Sequence, residues 1–76
     1  GDKPNKMLFE KSETLYQSLA NSYTTAEDSD TRISILQEMQ KLYDKMSELK
    51  SSDNTELNKQ LKKAKTESEI KTSLGL

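Results

Sequence analysis

Apolar residues recur along this chain at alternating spacings of four and three. Leu8, Ser12, Leu15, Leu19, Ser22 and Ala26 form one such row. Ile35, Met39, Leu42, Met46 and Leu49 form a second. The spacing keeps one face of a helix turned toward a partner, which is the seam of a coiled-coil heptad. Beside the first row stand Phe9, Tyr16 and Tyr23, and beside the second stand Leu36 and Tyr43, so each apolar stripe is wider than a strict two-position seam. The pattern Leu8-Phe9 with Leu15-Tyr16-x-x-Leu19 returns 27 residues later as Ile35-Leu36 with Leu42-Tyr43-x-x-Met46. Matching stripes on two helices joined by a short polar stretch predict an antiparallel hairpin of coiled-coil type. Its expected core is Leu8, Leu15, Leu19, Ile35, Met39, Leu42, Met46 and Leu49.

The predicted class is all-α, one helical domain over residues 1–76. Pro4 suits a first helical turn, where its missing N–H costs nothing, and places the first helix at about 4–24. Thr24-Thr25-Ala26-Glu27-Asp28-Ser29-Asp30 is polar and acidic and predicts a loop at about 25–29. Thr25, Asp28 or Ser29 is suited to cap the helix that follows, and acidic groups favour the positive end of its dipole. The second helix is expected at about 30–50. Ser51-Ser52-Asp53-Asn54 then interrupts the pattern, and Asp53 with Glu56 resembles a capping box. Leu57, Leu61 and Ala64 form a thin face from which Ile70 falls away. Ser, Asp and Asn cost a helix interior under about 1 kcal/mol each, so the favoured expectation is that the second helix runs on through this point. The alternative is a restart at about 54–71, with residues 72–76 frayed in either case.

Composition supports helices and removes most chemistry. Apolar residues make up 30% of the chain and charged residues 33%, a balance low for a globular core and high for a disordered tail. Cys, His and Trp are absent, which removes disulfides, thiol chemistry, the commonest general base and the commonest metal ligand. Twelve basic residues face thirteen acidic ones, so the chain has no net positive field with which to bind nucleic acid. No apolar run exceeds three residues. A signal-peptide core is therefore not among these residues, as is also true of a chain whose leader has been removed. Two helices cannot hide every side of a wide stripe. The isolated hairpin is accordingly expected to be marginal, and to self-associate or to take a partner.

Each chemistry-bearing cluster has an ordinary reading. Glu27, Asp28 and Asp30 lack the Gly turn and distal Glu of a calcium loop and read as helix-start electrostatics. Lys59-Gln60-Leu61-Lys62-Lys63-Ala64-Lys65 is bracketed by Glu56, Glu67 and Glu69, with Lys63–Glu67 and Lys65–Glu69 at helical spacing. It reads as a solvated face, with an acidic partner as the alternative. Hydroxyls abound, but a nucleophilic hydroxyl lacks its usual base here, and only Lys50 falls in line with the seam. The polar faces mix Glu and Lys evenly, unlike a membrane-surface helix. The expectation is a non-enzyme with no cofactor, no metal, no nucleic acid and no membrane. The aromatic line allows two readings: helix packing with Tyr hydroxyls in water, or a partner surface, for which Phe9, Tyr16, Tyr23, Leu36 and Tyr43 are the candidates.

Size, the absence of Cys and His, the Lys-rich composition and two heptad-bearing stretches around the acidic loop together resemble the phyllogens. These are the phyllody-inducing secreted effectors of phytoplasmas. Leu8-Phe9-Glu10-Lys11-Ser12-Glu13 and Ile35-Leu36-Gln37-Glu38-Met39-Gln40-Lys41-Leu42-Tyr43 carry the likeness. The resemblance implies a two-helix coiled-coil fold and secretion by the bacterium, with action in the host cytoplasm and nucleus. It implies binding to the keratin-like domain of plant MADS-domain transcription factors. Their delivery to the proteasome through ubiquitin-receptor shuttle proteins would follow, altering floral development. No family functional residue is carried over to a position here. The rival expectations are a self-assembling structural segment, with a homo-oligomer as partner, and a small bacterial secretion chaperone.

Overall fold

The computed structural model describes residues 6–50 and 54–76. Among them are four helices: α1 (Lys6–Thr25), α2 (Ser29–Leu49), α3 (Thr55–Lys63) and α4 (Glu67–Leu74). The fold is all-α. Pro4 and Asp53, invoked above as a helix start and a cap, lie outside the described residues.

α1 and α2 are joined by residues 26–28 and pack against each other as a helical hairpin. Asp28 starts α2: its extended backbone lets the carboxylate accept the Thr31 N–H at 2.8 Å, satisfying one of the donors that a helix start leaves unpaired. Hydrogen bonding from the Thr31 side chain, together with this backbone bond, holds the Asp28 carboxyl below the usual aspartate range. Thr25 belongs to α1 instead, its hydroxyl donating to the Ser22 carbonyl at 3.2 Å.

The chain after α2 departs from the expected continuation. The helix does not run on: α3 begins anew at Thr55, with Asn54 at its start. It breaks a second time at Ala64-Lys65-Thr66, where Ala64 and Thr66 are extended. A capping box restarts the chain there. The Thr66 hydroxyl accepts the Glu69 N–H at 3.1 Å and sits 3.0 Å from the Glu69 carboxylate. This break re-phases the helix and turns Ile70, which falls off a continuous face, into the core. It also separates Lys63 from Glu67 and Lys65 from Glu69, so those pairs do not span one helix. Glu67 accepts instead from the Ser18 hydroxyl of α1 at 2.7 Å. The end is not frayed over residues 72–74. α4 continues to Leu74 and stops at Gly75, whose φ of +78° needs a residue without Cβ. Gly75 N–H then bonds Thr72 and Leu76 N–H bonds Lys71, the Schellman pattern.

The core is built from α1 outward. Leu8, Leu15 and Leu19 of α1, Leu42 of α2, and Leu61, Ala64, Ile70 and Leu74 form one buried cluster. α1 packs against each of the other helices, and α3 packs against α4. Of the expected hairpin core, Leu8, Leu15, Leu19 and Leu42 are buried. Ile35, Met39, Met46 and Leu49 are only partly buried against that core. The C-terminal segment supplies the missing half, so part of the surplus apolar surface expected of a bare hairpin is covered from within.

Two long-range bonds fasten α3 to α1. The Leu8 N–H, in the first turn of α1, donates to the Asn58 side-chain oxygen at 2.8 Å. Lys11 Nζ donates to the Ala64 carbonyl at the end of α3 at 2.9 Å. Each helix thus completes a terminal group of the other, where an isolated helix would leave it to water. α4 is tied to α2 by the ion pair of Lys71 with Glu38. The hydrogen bond that the ammonium donates to that carboxylate raises Lys71 above its ordinary pKa.

Candidate protein-binding face

α3 and α4 cover one flank of the hairpin, and the other flank keeps its large apolar side chains in water. Tyr16 is 40% exposed, Ile33 51%, Leu36 48% and Tyr43 61%. The helical repeat explains the grouping. On α2, Ile33, Leu36, Gln40, Tyr43 and Ser47 follow spacings of three and four, a second row turned away from the one holding Leu42. On α1, Tyr16 stands one residue beyond Leu15 and so leans out of the core toward α2.

Two adjoining recesses lie along this flank. One, of about 380 Å³, is walled by Glu13, Tyr16 and Gln17 of α1 and by Tyr43 and Met46 of α2. The next, of about 270 Å³, is walled by Tyr16, Leu36, Met39, Gln40 and Tyr43. Tyr16 and Tyr43 border both, so the recesses form one open groove between α1 and α2 with thioether and aromatic walls. Met side chains adapt their shape to what they meet, and tyrosines offer large area at small entropy cost.

Of the five partner-binding candidates, Tyr16, Leu36 and Tyr43 converge on this groove. Phe9 and Tyr23 are half-buried and do not wall it. The Tyr23 ring is already engaged, with the Arg32 guanidinium carbon 4.5 Å from its centroid, a cation–π contact at the loop end of the hairpin. Ile33, Met39 and Met46 were not among those candidates. Ile33 lies outside the seam, and the seam positions of the two Met residues predict core, although each has one edge in the groove. The spacing of three from Ile33 to Leu36 was the available signal.

Chemically the groove offers contact area and a few polar groups. A recess between α3 and α4 is lined mainly by polar and charged side chains, among them Gln60, Lys63, Ser68 and Glu69. No cluster of acidic, Cys or His ligands suited to a metal ion occurs among the described residues. No helix among them is long and apolar enough to cross a membrane. No family model, no curated protein and no solved structure matches this chain. The geometry of the face therefore carries the functional argument.

Proposed function

We propose that this chain is a non-enzymatic binding module that captures a helical segment of another protein in the α1/α2 groove. The observation that carries this reading is the contiguous solvent-facing strip of Tyr16, Leu36 and Tyr43, with Met39 and Met46 in its floor. Large apolar side chains scattered singly on a surface need no explanation, but a continuous strip with a groove marks an interaction site. An amphipathic helix laid in such a groove anchors through residues at i, i+3 or i+4 and i+7.

In its concrete form this is the phyllogen-like reading. The module is an effector secreted by a phytoplasma, acting in the host cytoplasm and nucleus as a virulence factor. Its partner is the heptad-bearing keratin-like domain of plant MADS-domain transcription factors, which it commits to proteasomal degradation with ubiquitin-receptor shuttle proteins. What supports it is the compatibility of a heptad helix with a groove of this shape, together with the resemblance in size and pattern.

The test is capture from floral extract with mass spectrometry, using the native chain beside a Tyr16→Lys/Leu36→Lys variant. The expected result is recovery of a heptad-bearing partner by the native chain and its loss by the variant, with the helical circular dichroism of the two alike. Recovery that survives while the variant loses its helicity would return both residues to the core and defeat the assignment. Concentration-dependent self-association without any captured protein would favour a structural segment, and co-purification with a secreted bacterial protein would favour a chaperone.

A further inference from the structure

The basic run lies on the flank away from the groove. Lys59, Lys62 and Lys63 of α3 are exposed. With about 3.6 residues per turn they share an arc of about 100°, turned away from Leu57, Leu61 and Ala64, which meet the core. Lys65, also exposed, follows in the break before α4. No acid among the described residues pairs with any of the four. Glu56 precedes Lys59 by three residues without bonding it, in the first turn, where the helix dipole favours it. Glu67 accepts from the Ser18 hydroxyl at 2.7 Å and pairs with Lys71 at 3.6 Å. Glu69 shares the α3/α4 recess with Lys63, but its carboxylate is held by the Thr66 hydroxyl at 3.0 Å. The Ala64 carbonyl, which would draw a cation to the end of α3, is already taken by Lys11. Four ammonium groups are thus left on one face with no acid of their own among the described residues.

We propose that the outer face of α3 docks an acidic peptide segment of a partner protein, whose Asp and Glu side chains meet Lys59, Lys62, Lys63 and Lys65. Complementary charge steers such an encounter and fixes its register. The surroundings favour a peptide over other anions. No aromatic residue follows Tyr43 in the chain, so a nucleic-acid base has nothing to stack on. The large apolar side chains in water are Tyr16, Ile33, Leu36 and Tyr43, all on α1 and α2, so the lysine face has none to sink into lipid. The net charge of −1 gives no long-range attraction for an extended polyanion. A short acidic segment needs none of these. This surface is separate from the α1/α2 groove and does not depend on what the groove binds.

A synthetic peptide of alternating Glu and Ser tests this beside the same peptide with Gln in place of Glu. Amide chemical shifts of the full-length protein are followed during titration at low ionic strength. The expected result is shifts confined to α3 and the break after it, with the Glu peptide bound about tenfold more tightly than the Gln peptide. That preference shrinks with added salt. The variant Lys59→Glu/Lys63→Glu, whose two positions are exposed, loses the preference while its helical circular dichroism stays native, and Lys59→Arg/Lys63→Arg keeps it. Equal affinity for the two peptides would overturn the proposal. So would shifts at Tyr16, Leu36 and Tyr43 in place of α3, or no binding of the Glu peptide at about millimolar concentration. Tighter binding of a single-stranded oligonucleotide of equal charge, or of phosphatidylserine vesicles, would overturn the peptide assignment and give the face to that anion.

Discussion

α1 and α2 carry the same apolar pattern, yet they end in different surroundings. Leu8, Leu15 and Leu19 of α1 are buried, whereas their counterparts Ile35 and Met46 are partly exposed and only Leu42 is covered. The flanking positions follow suit: Phe9 is half-buried where Leu36 is exposed. The pattern fixes which face of each helix is apolar. How completely that face is covered depends on the neighbours. α1 lies between α2 on one flank and the α3–α4 pair on the other, while α2 gains from that pair chiefly the ion pair of Glu38 with Lys71. The difference separates a helix that stabilises the molecule from one that has surface left for binding.

The comparison can be tested most severely in the core. Leu15→Ala removes a fully covered side chain and should cost about 3–5 kcal/mol, while Met46→Ala on the seam of α2 should cost about 1–2 kcal/mol. Urea unfolding midpoints measure both, and equal costs would mean that the two helices share one degree of burial. Asn58→Ala withdraws the acceptor for the Leu8 N–H. It should cost about 1 kcal/mol and speed amide exchange at Leu8 while leaving α2 protected.

Ser12→Ala should be neutral or stabilising by up to about 1 kcal/mol. The Ser12 side chain is buried and its hydroxyl has no hydrogen-bond partner. A loss of stability in the same urea experiment would show that the hydroxyl is satisfied.

Two titrations act on opposite sides of neutrality. Lys71 has a raised pKa, so the stability it contributes is complete below the ordinary lysine value of 10.5 and is lost as pH rises through the folded value. Asp28 has a lowered pKa, so its contribution is complete above 3.8 and disappears as pH falls through the folded value. Asp28 is exposed and Lys71 half-buried at the surface, and the effects should be small. Exchange at Ile70 in strong base and at Thr31 in acid reads them separately. The smallest effect belongs to the exposed face of α2. Tyr43→Gln should leave the urea midpoint within about 0.5 kcal/mol of the native chain while weakening helix capture.

Periodicity made the hairpin legible, because the rows from Leu8 to Leu19 and from Ile35 to Leu49 are local and uninterrupted. The C-terminal third was harder to read. Ile70 looked stray only while one continuous helix was assumed. The Thr66-x-x-Glu69 box and Gly75 mark the second break and the stop, and both are plain in the sequence. The exchange of end groups between α1 and α3 could not be read there. Leu8 and Asn58 lie 50 positions apart, and nothing local links a backbone N–H to a side chain at that distance. The groove was half legible: Tyr16, Leu36 and Tyr43 flank the seam, but which flank stays open depends on where α3 and α4 dock.

The bonds from Leu8 to Asn58 and from Lys11 to Ala64 also order events during synthesis. A ribosome delivers the two ends of these links 50 and 53 residues apart. At 5–20 residues per second that is a wait of roughly 3–10 s. For that interval the nascent α1 has neither its amino-terminal acceptor nor the docking segment that shields its leucines. The molecule therefore closes only after the segment carrying Asn58 and Ala64 has been made, and any factor that engages the emerging strip of leucines must do so before that moment.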